Sequence, residues 1–198
     1  MKRGETVILA AGDFPQKGSE AWKLLAEARR VVCCDSAANL YHRALKKWPT
    51  VTVGDMDSAK RPGGIVVRIT EQDTNDLAKA VRYCAAQGWE RPVVLGATGG
   101  REDHTLGNIF RAMDLGLEVV TDCGRFIPVE GTMTLNVRKG AAVSVFATDR
   151  GTKVRSKGLE WPLDGVTFEN LYCATLNRAK AARITLTASK RILIYVAS

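Results

Sequence analysis

Apolar residues recur through the first 121 positions in short runs, at 7–11, 31–34, 51–53, 65–69, 93–95 and 117–120. The runs are rich in β-branched residues and too short for buried helices, so each predicts a buried strand. A helical period fills most of the gaps. Residues 20–29 carry Trp22, Leu25 and Ala26. Residues 75–87 place Leu77, Val81, Cys84 and Ala85 on one helical face, and residues 104–115 do the same with Leu106, Ile109, Phe110 and Met113. Strands alternating with amphipathic helices predict an α/β domain, a mostly parallel sheet with flanking helices.

Beyond residue 121 the pattern changes. Short runs at 125–130, 133–138, 143–147, 153–156, 183–187 and 191–196 follow one another, several alternating apolar with polar, with Gly131, Gly140 and Gly151 between them. This predicts an all-β sandwich or small barrel without a long helix. The expected organisation is therefore an α/β domain over 1–121 and a β-sandwich over 122–198.

Composition narrows the class. The chain has 198 residues, 45% hydrophobic and 25% charged, which excludes a disordered chain. No apolar run approaches the ~18 residues of a membrane span. The run at 7–11 is too short for a signal peptide. Lys+Arg number 29 against 21 Asp+Glu, a net charge of +8, which points towards a polyphosphate or nucleic-acid partner. The first 121 residues hold 17 basic and 15 acidic residues, and the remainder 12 and 6, so most of the excess lies in the second half. Five cysteines without a C-x-x-C pair, and only two histidines, argue against structural zinc and for reduced thiols in a cytoplasmic protein.

The candidate chemistry follows the strands of the first half. Run 7–11 leads into Gly12-Asp13, and run 31–34 into Asp35-Ser36-Ala37-Ala38-Asn39. Run 51–53 leads into Gly54-Asp55-Met56-Asp57-Ser58, and run 65–69 towards Asp73-Thr74-Asn75-Asp76. Run 93–95 leads into Gly96-Ala97-Thr98, then Gly99-Gly100-Arg101-Glu102-Asp103-His104. Ligands of open α/β sheets bind outside the carboxyl ends of the strands, so Asp35, Asp55, Asp57, Asp73, Asp76 and Asp103 are expected at one edge. Crowded carboxylates repel, and a divalent cation relieves the conflict. All-oxygen donors favour Mg²⁺, which takes few carboxylates and fills its shell with waters and phosphates. The Gly99-Gly100 loop offers backbone N–H groups to phosphate, and Arg101 a bidentate contact. Simpler readings exist: Asp73 with Asp76, or Asp103, as helix caps, Gly54-Asp55 as an ordinary turn, and Asp13 as a turn residue.

In order and spacing these segments resemble the thiamine pyrophosphokinase family. Asp35–Asn39 is similar to its D-G-G-A-N segment, 54–58 to G-D-x-D-S, 73–76 to D-x-x-D, and 99–104 to G-G-R-x-D-H. Gly158-Leu159-Glu160-Trp161-Pro162-Leu163 is similar to the family's G-L-x-W-P-L, so the resemblance spans the chain. It implies Mg²⁺-dependent transfer of pyrophosphate from ATP to the thiamine hydroxyl, giving thiamine pyrophosphate and AMP. It implies Asp55, Asp57, Asp73 and Asp76 as metal ligands, with Asp103 against substrate or metal. Asp35, Asn39, Ser58, Gly99, Gly100, Arg101 and His104 are implied around the nucleotide. It further implies a homodimer, with thiamine between the catalytic domain of one subunit and the sandwich of the other.

Trp161 offers an indole face that suits a pyrimidine and a cationic thiazolium, the alternative being a core Trp. Two departures stand out. Ser36 and Ala37 replace a Gly-Gly pair, and Thr175-Leu176-Asn177 stands where the family often has Ser-Asn, so Thr175 or Asn177 is expected to make the polar contact. Rival readings are a pyrophosphokinase for another acceptor, such as a hydroxymethyl pterin, and a basic nucleic-acid-binding protein. Against the second, the basic half has few aromatics interleaved with Lys and Arg, and the acidic series is left unexplained.

Overall fold

The structure, a computed structural model, describes residues 3–57, 63–71 and 73–198. By contacts the chain divides into two units, 1–122 and 123–198. In the first, β1 (Thr6–Leu9), β2 (Arg30–Cys34), β3 (Val51–Gly54), β4 (Ile65–Arg68), β5 (Val93–Leu95) and β6 (Val119–Val120) pair in the order β6-β5-β1-β2-β3-β4. Every pairing among them is parallel. The crossovers carry α1 (Glu20–Glu27), α2 (Ala37–Leu45), α3 (Asp76–Ala86) and α4 (Glu102–Asp114).

β1, with β2 and β5 on either side, is buried along its whole length, as a central parallel strand must be. Val7, Leu9, Val31 and Cys33 meet Leu25 of α1 and Ala37, Ala38 and Tyr41 of α2 on one face. α3 packs on β1, β2 and β3, and burial, with Asp76 and Cys84 nearby, pushes the Cys34 thiol well up. Two elements differ from the sequence expectation. α2 has only nine residues, and its small alanines give a weak apolar stripe beside Tyr41. β4 is the edge strand rather than a buried one, with Ile65 60% exposed.

The second unit holds β7 (Gly124–Asn136), β8 (Ala142–Phe146), β9 (Thr152–Lys157), β10 (Val166–Phe168), β11 (Ala174–Arg178) and β12 (Arg183–Ala197). The runs at 125–130 and 133–138 merge into β7, and those at 183–187 and 191–196 into β12. β12 pairs with β9 through 185–188 and with β8 through 193–196, with a register shift between Ala188 and Ile192. A bulge bends the strand there, so one long strand serves both layers of the sandwich. The core between the layers contains Val143, Val145, Phe168, Ile184, Leu186, Ile192 and Ile194. Among the described residues no helix is long and apolar enough to cross a membrane.

Candidate active site

Strand order reverses between β1 and β5, which opens a crevice at their carboxyl ends. The loops leaving these strands are zipped together. The amides of Ala10, Gly12 and Asp13 donate to the carbonyls of Leu95 (2.9 Å), Gly96 (2.8 Å) and Thr98 (2.8 Å). Gly99 and Gly100 are both left-handed, at φ 81° and 69°. The carboxylate of Asp13 fills the space a side chain on Gly99 would need, whereas the space beside Gly100 is open. Asp13, a plain turn residue on sequence, thus belongs to the glycine loop. Its signal was its place directly after β1. We expect Gly99→Ala to cost about 2–3 kcal/mol in urea unfolding, strain plus collision, and Gly100→Ala about 1 kcal/mol, strain alone. Equal costs would remove Asp13 from that contact.

The exits of β2 and β3 also touch. Asp35 is buried in a left-handed conformation (φ 42°), and its amide donates to the Val53 carbonyl at 3.0 Å. A side chain at Gly54 would lie 3.0 Å from the Asp35 Cβ, so glycine there eases the close approach of the two exits. Of the two residues that replace the Gly-Gly pair, Ala37 is fully buried in the core and Ser36 is half-buried. Asn39 lies half-buried in the first turn of α2.

Asp55 follows β3 and is half-buried. Its Oδ1 accepts the Asp57 amide at 3.2 Å, and its carbonyl accepts Arg68 Nε at 3.1 Å. Met56 between them is left-handed, at φ 68°. Asp57 is exposed, and Ser58 lies outside the described residues. Asp73 is exposed and does not cap α3. The cap is Asn75, whose Oδ1 accepts the Ala78 amide at 3.0 Å. Asn75 Nδ2 donates to Asn108 Oδ1 on α4 (3.1 Å), and Asn108 Nδ2 to the Ala97 carbonyl (3.3 Å). These two asparagines, not singled out on sequence, tie the start of α3 to the exit of β5.

Asp76 opens α3, where the helix dipole favours an acid. It pairs with Lys79 Nζ at 3.1 Å, and the Lys79 side chain is only 3% exposed. That buried cation was also missed, although a lysine among Leu77, Ala80 and Cys84 was its signal.

Asp103 is likewise no cap: α4 begins at Glu102, with Arg101 at the cap position making no capping bond. Arg101 donates through Nε (3.0 Å) and Nη2 (2.6 Å) to the two Asp103 oxygens. The guanidinium holds the Asp103 carboxyl below its ordinary range. Phosphate would therefore compete with Asp103 for Arg101. His104 is exposed, its backbone amide bonded to Asp103 Oδ1 at 2.9 Å.

In the second unit Trp161 is 57% exposed, so it is not a core residue. Thr175 Oγ1 donates to the Tyr172 carbonyl at 3.1 Å. Asn177 is buried and bonded to the backbone of Trp161, so its amide is not presented to solvent.

Among the described residues no three Asp, Glu, His or Cys side chains gather as a metal cage. Asp35, Asp55, Asp73 and Asp103 lie in the segments that follow β2, β3, β4 and β5 in the chain. That donor set fits a hard cation that draws the rest of its shell from a triphosphate and water.

Two family models match the chain: "Thiamin pyrophosphokinase, catalytic domain" over residues 21–120, and "Thiamin pyrophosphokinase, substrate-binding domain" over 124–195. Thiamin pyrophosphokinase 1 of Caenorhabditis elegans is 26% identical over 201 residues, covering 90% of this chain and 83% of the worm protein. Among solved structures, thiamin pyrophosphokinase from Candida albicans superposes with a TM-score of 0.81 at 16% identity, covering 98% of this chain and 90% of that one. Thiamine pyrophosphokinase from Bacillus subtilis gives 0.76 at 18%, covering 98% of each chain. At these identities the structural likeness speaks for the fold alone.

Proposed function

The chain belongs to the thiamin pyrophosphokinase family, and we propose that its reaction runs at the edge where β1, β2, β3 and β5 end. It is an enzyme that makes thiamine pyrophosphate from thiamine and ATP. The thiamine hydroxyl oxygen bonds to the β-phosphorus. The bond from that phosphorus to the α–β bridging oxygen breaks, AMP leaves with the oxygen, and the hydroxyl proton is lost. Two observations carry this reading together. Both family models match in order along the chain, and the acidic and glycine segments leave adjacent parallel strands at one edge.

Asp55, Asp57, Asp73 and Asp76 are the residues that would hold Mg²⁺, which when bound neutralises charge on the transferred group. The chain's own part is positioning. The left-handed Gly99-Gly100 pair directs backbone N–H groups towards phosphate. Asp35 and Gly54, packed together, fix the approach of the second and third strand exits. Arg101 exchanges its Asp103 partner for phosphate oxygen. A loose phosphoryl-transfer transition state asks mainly for such positioning and charge neutralisation, not for a strong base.

Trp161 is the proposed thiamine surface. A homodimer with thiamine between the catalytic unit of one subunit and the sandwich of the other follows from the family resemblance, and a cytoplasmic location is the reading that five cysteines without a C-x-x-C pair suggest.

The test is direct. Folded protein with thiamine, ATP and Mg²⁺ is expected to release AMP and thiamine pyrophosphate in equal amounts. A hydroxymethyl pterin offered instead is expected to release neither AMP nor a pyrophosphorylated product. Absence of both products with thiamine would overturn the proposal.

A further inference from the structure

We infer that Asn177 is a positioning residue that locks the Trp161 segment so that the indole is presented to thiamine. This rests on the reading of Trp161 given above. Asn177 is a polar side chain only 6% exposed, so its bonds decide whether it is tolerated. Its Nδ2 donates to the Trp161 carbonyl at 2.7 Å, and its Oδ1 accepts the Trp161 amide at 3.3 Å. The same oxygen accepts the Arg178 amide at 2.8 Å. One side chain thus holds both backbone groups of an exposed tryptophan.

A defect in β11 makes this arrangement reachable. Against β8 the register runs from Ala174 opposite Val145 to Asn177 opposite Val143, so one residue is extra. In an unbroken strand with Ala174 facing inward, residue 176 would also face inward and 177 outward. The bulge reverses this parity. Leu176 is turned out, 86% exposed and left-handed at φ 64°, while Asn177 is turned in. A branched residue in that conformation is strained, and the surrounding bonds must hold it. The Leu176 amide donates to Ser144 Oγ at 3.4 Å, and the Asn177 bonds close the other side.

Holding the Trp161 backbone at two points cuts the ordering cost of seating a flat ligand on its ring. Asn177→Asp keeps the shape and both acceptor bonds but sets a carboxylate oxygen against the Trp161 carbonyl. We expect the thiamine KM to rise about tenfold or more, with the ATP KM changed less than about twofold. Repulsion between that carboxylate oxygen and the Trp161 carbonyl should loosen the segment, so hydrogen exchange of the Trp161 amide should also accelerate even though its acceptor remains. Trp161→Ala should raise the thiamine KM as well.

If Trp161→Ala leaves the thiamine KM unchanged, the thiamine surface itself is misassigned. If Trp161→Ala raises it while Asn177→Asp does not, the positioning role is overturned and the thiamine surface stands. Should Asn177→Asp not fold, the wild-type protein decides. A Trp161 amide that exchanges slowly, and more slowly still with thiamine, supports the inference, and an unprotected one overturns it.

Discussion

Asp55→Asn is expected to lower turnover by about two to four orders of magnitude while leaving the fold intact. The two effects separate because the side chain has two jobs. Locally, Asp55 Oδ1 accepts the Asp57 amide, and the carbonyl oxygen of an asparagine can accept the same bond. Stability should therefore change by less than about 1 kcal/mol, measured by urea unfolding. Towards a cation and a triphosphate the substitution is not neutral. It removes a full negative charge, and an amide nitrogen is no ligand for a hard cation. The rate should be measured at saturating thiamine and ATP across a Mg²⁺ titration. A loss that excess Mg²⁺ partly recovers locates the defect in metal affinity. A rate near wild type, in protein that unfolds like wild type, would remove Asp55 from the metal site.

The reasons the sequence was legible in some places and not in others are local. β1, β2 and β5 are buried on both faces, so their apolar runs stand out. The strand exits were readable because glycines and aspartates there answer to backbone geometry as much as to chemistry, as Gly54 against Asp35 and Gly99 against Asp13 illustrate. What escaped depended on contacts far apart in sequence. Asn75 meets Asn108 across 33 positions, and Asn177 meets Trp161 across 16. No local pattern reports such pairs. β11 was missed because its bulge breaks the alternation by which a strand is recognised. The capping readings of Asp73 and Asp103 failed for a related reason. Cap rules specify residue types near a boundary but do not fix the boundary to within two residues, and Asn75 at α3 competed for the same role.

Asp76 is expected to show the largest stability effect among the edge carboxylates, because its partner is buried and it is not. Lys79 is 3% exposed and Asp76 34%. Removing the acid with Asp76→Ala leaves a desolvated ammonium without that counter-charge, a loss of about 3 kcal/mol at the low end for buried pairs. Asp76→Asn retains an acceptor for Nζ and should lose less, about 1–2 kcal/mol. Lys79→Met, similar in volume and apolar, should restore most of the stability lost by Asp76→Ala, so the double variant melts above the single one. Turnover should not follow stability in this series. Asp76→Ala, Asp76→Asn and the double variant all lack the carboxylate and should all be slow. If Asp76→Asn keeps full turnover, Asp76 serves only as the counter-ion of Lys79. If the double variant is no more stable than Asp76→Ala, the pair is not what the acid contributes to the fold. The expected pattern has a physical consequence for the edge: Lys79 takes Oδ1, so an approaching cation meets a carboxylate already fixed in direction by the ammonium beneath it, at the cost of part of its charge.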